Sequence, residues 1–318
     1  MGKNNRGQSA LLIIIVNWNT KNKLKKCLDS VKTYIKSDPF EVLVIGNNSN
    51  DGSIEMLKDD YKHYKLIFNK ENLGFAAANN IGFKKFPNFE YYLLLNSDAE
   101  INSKALNGMI HSMEKDSNLG LVGPALIHEN REYQIGGAGF GPHWINSINT
   151  FLFLEKFSTR FKGLFINQKI YKNIKTPIKV TWLAFACTLV RKKMLDEIGY
   201  FNESFFVYGE DSDLCWRAIK KNWKVLYLPQ CKIVHFLGGS SKDKGRLSTT
   251  WFKNLAYSIQ INGSKFDYNM FVLTSILGYL MRYFYFNIKI YLTNLDEDKK
   301  LNIFYYSLFK ASIKLKLN

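Results

Sequence analysis

Short apolar runs that end in small polar residues dominate the first hundred positions of the chain. Segments 10–16, 41–45 and 91–95 are almost continuously apolar, and each leads directly into Asn, Gly, Ser or Asp residues. Runs of this length predict strands buried on both faces of a largely parallel sheet. Open α/β sheets bind ligands beyond the carboxyl ends of such strands. The pattern therefore predicts an α/β domain whose crevice collects polar groups from three strand ends.

A second pattern joins an aromatic run to an acidic cluster at residues 205–217, FFVYGEDSDLCWR. Glu210, Asp211 and Asp213 lie within four positions, directly after the aromatic residues. This combination is typical of a cleft wall, where burial tunes a carboxyl group for acid–base chemistry. The alternative is an acidic first turn of a helix, which the helix dipole favours.

Composition indicates a packed protein without a disulfide framework. The 318 residues are 46% hydrophobic and 15% aromatic, enough for a large core. The four cysteines show no CxxC spacing, so we expect buried thiols in a reducing compartment. The first apolar run is too short for a signal peptide and no cleavage site follows it, which predicts a cytoplasmic location.

The net charge of +17 indicates an acidic partner. An anionic membrane surface is the expected partner, because Lys and Arg are attracted to anionic headgroups. A simple lysine bias of composition is the alternative. The sequence has no RNP, zinc-finger or helix-turn-helix signature, so nucleic-acid binding is not expected.

Helical periodicity near the C-terminus predicts an amphipathic helix. One apolar face is formed by Leu273, Ile276, Leu277, Leu280, Phe284, Ile288 and Leu292. The opposite side carries Ser275, Gly278, Arg282 and Lys289. Its uncharged stretch is too short to span a bilayer. We expect this segment either to rest peripherally on the inner face of the cell membrane, or to pack against the catalytic domain or a second subunit as a homodimer.

Six segments in order resemble motifs of the family 2 glycosyltransferases with the GT-A fold, and among these the rhamnosyltransferase-like branch. They are VNWNT at 16–20, NNSNDGS at 47–53, ENLGFAAANN at 71–80, LLLNSD at 93–98, FFVYGEDSDLCWR at 205–217 and VHFLGGSS at 234–241. The resemblance implies an α/β fold with a GT-A (Rossmann-like) mixed sheet flanked by helices over residues 1–245. A helical extension follows at 246–318, and a short basic segment at 1–9 is expected to be mobile.

The resemblance implies an inverting glycosyltransferase. It would move a sugar from a nucleotide-diphosphate donor, dTDP-rhamnose or a UDP-hexose, to a saccharide or lipid-linked acceptor in cell-surface polysaccharide synthesis. Mg²⁺ or Mn²⁺ would neutralise the departing diphosphate. Asp98 and His235 are the expected metal ligands, and a Gly-Gly-Ser-Ser lid at 238–241 would cover the phosphates.

The resemblance also assigns roles to single residues. Asp211 is the expected general base, and Glu210 orients it or bonds a sugar, whereas Asp213 is expected to pair with Arg217. Donor binding is assigned to Val16, Asn17, Asn19, Asn47, Asn48, Ser49, Gly74, Ala77, Asn79, Asn96 and Ser97. The acceptor side is assigned to Trp182, Phe185 and Tyr208.

Three positions depart from the family pattern. Gly46 replaces an Asp that often contacts the nucleobase, Phe185 replaces a Gly, and Ser97 replaces the commoner Pro. Gly46 favours the alternative of a catalytically impaired nucleotide-sugar-binding module. A nucleotidyltransferase should carry a Gly-rich, Arg-containing loop after the first strand, which residues 17–20 do not form. A nucleic-acid-binding or scaffold protein leaves the acidic cluster unexplained.

Overall fold

The computed structural model of the protein describes residues 11–34, 40–158, 160–166, 174–236 and 249–317. Two predicted features, the basic segment 1–9 and the lid at 238–241, lie outside the described residues. The predicted boundary between 245 and 246 lies outside them too and stays a prediction.

The three apolar runs form neighbouring parallel strands in one half of the central sheet. Strand β1 (Leu11–Asn17) pairs in parallel with β2 (Phe40–Asn47) and with β4 (Tyr91–Leu95), and β2 pairs in parallel with β3 (Lys65–Asn69). Side chains on β1 and β4 are buried almost throughout, as apolar strands with covered faces require. Because these strands are parallel, their carboxyl ends lie at the same edge of the sheet.

The other half makes the sheet mixed. Its strands are β5 (Ala99–Glu100), β6 (Leu119–Ile127), β8 (Ile178–Lys179), β10 (Cys187–Arg191) and β11 (Lys224–His235). Among the described residues the order is β3-β2-β1-β4-β10-β6-β11-β5, with β8 beside β11. Strand β10 runs antiparallel to β4 and β6. Strands β7 (Ala138–Gly139) and β9 (Trp182–Leu183) form a separate pair.

Helices cover both faces of the sheet. They are α1 (Lys21–Tyr34), α2 (Ser53–Asp60), α3 (Gly74–Lys85), α4 (Ser103–Lys115), α5 (Trp144–Phe151), α6 (Lys192–Ile198), α7 (Glu210–Lys220), α8 (Thr250–Asn262), α9 (Lys265–Thr293) and α10 (Asp296–Ser312), with a 3₁₀ turn at Leu154–Lys156. Apolar residues of α1 and α4 pack on one face with Ile13 and Ile15. Those of α3, α7, α8 and α9 belong to the core that contains Leu12 and Ile14. The predicted mixed, helix-flanked sheet with C-terminal helices is confirmed.

Helix α9 begins at a capping box. The Ser264 hydroxyl accepts from Asp267 N at 3.0 Å, and the Asp267 carboxylate accepts from Ser264 N at 3.2 Å. Two otherwise unpaired amides of the first turn are thereby satisfied. Among the described helices none is both long and apolar enough to cross a membrane.

Arg282 anchors α9 to the rest of the protein. Its guanidinium donates to Phe151 O at 2.9 Å and to Thr150 O at 3.1 Å, and lies 3.9 Å from the Phe153 ring centroid. A Cβ at Gly278 would lie 2.6 Å from Phe151 O, so the missing side chain permits this close approach.

The predicted helical period of α9 is confirmed, and the structure decides which side of the helix meets the domain. Ser275 and Gly278, on the polar side, are buried against the domain, and Arg282 is half-buried. The alternative in which the apolar face packs on the domain does not hold for its exposed members, with Leu273 at 49% and Leu292 at 74%. Small residues and an arginine satisfied by carbonyl groups make the closer contact, with the rings of Phe271 and Tyr279.

We predict that Arg282→Met lowers the free energy of unfolding by about 3 kcal/mol, because it leaves buried carbonyl groups without a donor. Chemical denaturation measures the change. Lys299→Met, which removes a positive charge from an exposed ion pair with Asp296, should cost under about 1 kcal/mol. Equal, small losses in both variants would contradict the anchoring contact.

Candidate active site

A hydroxyl and amide network joins three of the strand ends. The Asn17 amide donates to Ser49 Oγ at 3.1 Å and to Ser53 Oγ at 2.9 Å, while its Oδ1 accepts from the Thr20 hydroxyl at 2.6 Å. Thr20 Oγ1 lies 2.8 Å from Ser97 Oγ. The structure therefore brings the predicted residues Asn17, Ser49 and Ser97 together at one edge of the sheet.

Asn47 fastens the end of β2 to the start of α3. Its amide donates to Asn72 Oδ1 at 2.7 Å and to Gly74 O at 3.3 Å. Its Oδ1 accepts from Asn69 Nδ2 at 3.0 Å and from Leu73 N at 3.2 Å. All hydrogen-bonding groups of this buried side chain serve to position the loop at 69–74.

Gly74 lets the acidic segment rest on this loop. Its φ of 79° is in the left-handed region, and a Cβ there would lie 2.3 Å from Phe206 O. The same oxygen accepts from Phe75 N at 2.9 Å. The segment before α7 is thus held directly against α3, as only glycine allows.

The remaining predicted donor residues have varied environments. Asn19 and Asn48 have positive φ values of 51° and 62°, and Asn48 is exposed. Val16, Ala77 and Asn96 are half-buried. Asn79 is 1% exposed and donates to Phe75 O within its own helix, as a structural residue does. Their donor contacts stay predictions.

Asp98 and His235 meet where β11 ends beside β5. Pairing of His235 with Ala99 brings them together, and Phe236 N donates to Asp98 O at 2.8 Å. His235 Nε2 lies 3.2 Å from Asp98 Oδ1, and both side chains are about nine-tenths buried. The two predicted metal ligands therefore do lie side by side.

Gln134 fixes which nitrogen of His235 carries the proton. Its amide nitrogen donates to His235 O at 2.5 Å and to Ile127 O at 3.3 Å, so Gln134 Oε1 must face His235 Nδ1, 2.9 Å away. Nδ1 then donates to Gln134, and Nε2 is the nitrogen that faces Asp98. Sequence reasoning missed Gln134, which lies 101 positions from His235 in a loop without a motif.

His235 Nε2 and Asp98 Oδ1 face each other at 3.2 Å, close enough to share a proton or to bind one cation together. Asp98 and His235 could hold a divalent cation with one oxygen and one nitrogen, and leave other positions to water and phosphate. Among the described residues no group of three His, Cys, Asp or Glu side chains gathers around a common point.

Burial separates the roles of the three acids at the start of α7. Asp213 pairs with Arg217 at 2.9 Å, as expected, and accepts from Asn262 at 2.9 Å. Burial raises the pKa of Asp211 to about 6, although Ser212 N and Oγ both donate to its Oδ1. Burial, together with the charge of Asp211, raises the pKa of Glu210 well above its ordinary value.

Glu210 and Asp211 therefore differ at neutral pH. Asp211, whose pKa is about 6, is ionised above that pH and can then accept a proton, whereas burial and the charge of Asp211 make Glu210 hold its proton more tightly, and in that form it can donate a hydrogen bond. Among the described residues Glu210 Oε2 is buried without a hydrogen-bond partner. An orphaned polar atom at an acid pair is typical of a site that awaits a ligand.

The acid pair and the Asp98–His235 pair are anchored to one segment. Strand β9 packs on α7, and Ala186 O, three residues after β9, accepts from Asn96 N at 2.9 Å. The strand and the loop that follows it therefore connect the two groups.

The predicted acceptor residues divide into two kinds. Trp182 is 6% exposed, donates to Leu164 O at 2.8 Å and packs edge-on against Phe165. Phe185 is 4% exposed and packs edge-on against Phe201. Tyr208, at 38%, is the exposed one of the three assigned residues. Acceptor contact by any of them stays a prediction.

Comparison with known proteins decides the family. Residues 12–199 match the profile of glycosyl transferase family 2, over more than half of the chain. The chain belongs to this family. The predicted likeness to its rhamnosyltransferase members is confirmed as well.

Similar proteins act on glycans and lipid-linked sugars. The low-salt glycan biosynthesis hexosyltransferase Agl10 of Haloferax volcanii is 24% identical over 244 residues, 76% of this chain and 71% of the relative. The N-acetylglucosaminyl-diphospho-decaprenol L-rhamnosyltransferase of Mycobacterium tuberculosis is 23% identical over 219 residues, 62% of this chain and 66% of the relative.

The crystal structure of GalNAc-T7 with UDP, GalNAc and Mn²⁺ shares the fold. Its TM-score is 0.60 at 16% identity, with 96% of this chain and 56% of that chain covered.

In this family 2 member, a neighbouring ring fills the space beside Gly46. A Cβ at Gly46 would lie 2.8 Å from Phe68 Cδ1 on the adjacent strand β3. Phe68 is 36% exposed, and Lys58 Nζ lies 5.4 Å from its ring centroid. The departure at position 46 is thus matched by an aromatic residue that occupies the room of a side chain.

We predict that Gly46→Asp lowers the free energy of unfolding by about 1–3 kcal/mol, because the new side chain overlaps the Phe68 ring. In a double-mutant cycle, Phe68→Ala should relieve about 1 kcal/mol of this loss. Urea denaturation of the four proteins measures the coupling. Strictly additive effects would show that the ring does not oppose a side chain at position 46.

Proposed function

We propose that the protein is an inverting, metal-dependent glycosyltransferase. It moves a sugar from a nucleotide-diphosphate donor, dTDP-rhamnose or a UDP-hexose, to a saccharide or lipid-linked acceptor in polysaccharide synthesis. The observation that carries the proposal is the division between Glu210 and Asp211, which supplies one half-buried base beside one buried carboxyl group whose Oε2 has no partner among the described residues.

Donor binding is assigned to the strand-end network of Asn17, Asn47 and Ser49, with Ser97 beside it. The hexosyltransferase and rhamnosyltransferase relatives support a sugar-nucleotide donor, and the decaprenol-linked substrate named for one of them supports a lipid-linked acceptor. The network is already bonded internally, which keeps it in one arrangement before the donor arrives.

Asp98 and His235 are assigned to a divalent cation, with Gln134 as the residue that positions His235. When bound, Mg²⁺ or Mn²⁺ supplies positive charge that offsets the charge developing on the diphosphate. The residues fit such an ion because His235 Nε2 and Asp98 Oδ1 lie 3.2 Å apart and are a nitrogen and an oxygen of the types that bind divalent cations. The Mn²⁺ present with GalNAc-T7 supports the assignment.

Asp211 is assigned as the general base for a single in-line displacement. The acceptor hydroxyl oxygen bonds to the anomeric carbon as the bond from that carbon to the diphosphate oxygen breaks. The hydroxyl proton passes to Asp211, and the configuration inverts. Protonated Glu210 can donate a hydrogen bond to a sugar hydroxyl or to Asp211 itself.

We predict that Asp211→Asn lowers kcat by at least about 100-fold and leaves nucleotide binding within about twofold, because only the proton acceptor is lost. In the unmodified protein kcat/KM should rise as the pH passes through about 6, where Asp211 ionises. Initial rates of nucleoside diphosphate release measure both effects.

Asp196→Asn, which removes a carboxylate from an exposed ion pair with Lys192, is the matched control and should retain full activity.

The stability of Asp211→Asn is measured separately, to show that the variant folds. Because burial raises the pKa of Asp211 from 3.8 to about 6, its contribution to stability is lost as the pH rises through that interval. The Asn variant should therefore be at least as stable at pH 7. Near-normal turnover of a folded variant would refute the base assignment.

A further prediction concerns the cation. Asp98→Asn should abolish the Mn²⁺-dependent part of UDP or dTDP binding, and Gln134→Leu should weaken it by about 10–100-fold, because His235 loses its partner. Isothermal titration of each nucleotide with and without Mn²⁺ gives the values. Asn130→Ala, an exposed change in the same loop, serves as the control. If nucleotide binding still depended on Mn²⁺ to the same extent in Asp98→Asn and Gln134→Leu, Asp98 and His235 would be excluded as the metal ligands.

A catalytically impaired nucleotide-sugar-binding module is the second candidate. Gly46 and the Phe68 ring beside it favour this candidate, since a residue that contacts the base in relatives is replaced. Nucleotide binding without turnover across UDP-hexoses and dTDP-rhamnose would support it.

A further inference from the structure

The outward side of α9 is an apolar stripe that the proposed reaction does not use. Six side chains at helical spacing are 45–74% exposed, and we call them the outer stripe: Leu273, Leu277, Met281, Phe284, Ile288 and Leu292. They extend for about 30 Å along the helix axis. An exposed apolar surface of this length marks an interaction site.

The charged residues of α9 lie outside the outer stripe. Arg282 turns toward the domain, where it bonds carbonyl groups, and Lys289 pairs with Asp298 of α10 at 2.7 Å. Asp267 caps the start of the helix. The outer stripe therefore carries no charge from residue 273 to residue 292, and Asn287 is an exposed polar residue beside it.

The opposite side of α9 is already occupied by protein. Phe271 and Tyr279 pack on Phe151, and the rings of Tyr283 and Phe286 pack on α10. One side of the helix is thus fixed to the domain while the other faces outward. A partner must therefore contact the outer stripe from outside the protein, and it must offer a surface on which the helix can lie flat.

Charge favours an anionic bilayer as this partner. The chain carries a net charge of +17, so a second copy would bring two strongly positive bodies together. Helix α10, which packs against α9, and the tail that follows it carry two exposed acids, Asp296 and Glu297, the first paired with Lys299, against five exposed lysines: Lys299, Lys300, Lys310, Lys314 and Lys316. Lysines near an anionic membrane are attracted to its headgroups.

We propose that the outer stripe docks α9 onto the surface of an anionic membrane. The apolar side chains enter the boundary between headgroups and acyl chains, and the lysines of α10 and the tail contact the headgroups. The inference stands apart from the proposed chemistry, although such docking brings the site near a lipid-linked acceptor.

The test is flotation of the whole protein with vesicles of phosphatidylcholine containing phosphatidylglycerol, compared with phosphatidylcholine alone. We expect flotation with the anionic vesicles, and less at high salt because screening weakens attraction to headgroups. The variant Phe284→Glu/Ile288→Glu should lower the partition coefficient about 100-fold, since two apolar side chains no longer enter the membrane.

The matched control is Asn107→Glu/His111→Glu. These residues are also exposed, four positions apart on a helix, and α4 lies on the opposite face of the sheet from α9. The control should float like the unmodified protein. Equal loss in both variants would show that net charge alone binds the vesicles, which would overturn the role of the stripe. Absence of flotation in the unmodified protein would overturn it too.

Analytical ultracentrifugation without vesicles tests whether a second copy of the chain covers the outer stripe instead. A dimer that Phe284→Glu/Ile288→Glu dissociates would assign the stripe to a second copy and overturn the proposal. Nucleotide binding with Mn²⁺ should be equal in the two double variants and the unmodified protein. Failed flotation with intact nucleotide binding would therefore refute the docking alone. Flotation without nucleotide binding would refute the proposed function alone.

Discussion

A sheet covered on both faces is the constraint on which the site depends. Because helices bury both sides of β1 and β4, polar side chains have no place along these strands and collect at their ends. Parallel pairing then places those ends at one edge. The network of Asn17, Thr20 and Ser97 follows directly from this arrangement.

The apolar runs were enough to predict the parallel half of the sheet, since continuous burial leaves a clear pattern in sequence. The antiparallel placement of β10 between β4 and β6 has no such signature, because it depends on contacts between distant segments. Gln134 was missed for the same reason. Apolar periodicity located the two sides of α9 but left open which side meets the domain, and Gly278 and Arg282 make the polar side the better fit.

Motif resemblance singled out Asp98, His235 and Asp211 as candidates, but the sequence could not show how strongly Asp211 holds its proton. That depends on burial and on neighbours that only the fold supplies. Glu210 and Asp211 are adjacent in sequence, yet burial and mutual charge give them different proton affinities. The buried, unpartnered Glu210 Oε2 is a cost to the folded state that a purely structural residue would avoid.

The contact of Phe206 O with Phe75 N ties the helix that carries the acids to the loop fastened by Asn47. A Cβ at Gly74 would push on the Phe206 peptide, and through it on the first turn of α7. The loop fastened by Asn47 and the helix that carries the acids are therefore held in place by the same contact. A methyl group at residue 74 would displace the carboxylates from a distance, so this position should tolerate no substitution in a screen for activity even where the variant still folds.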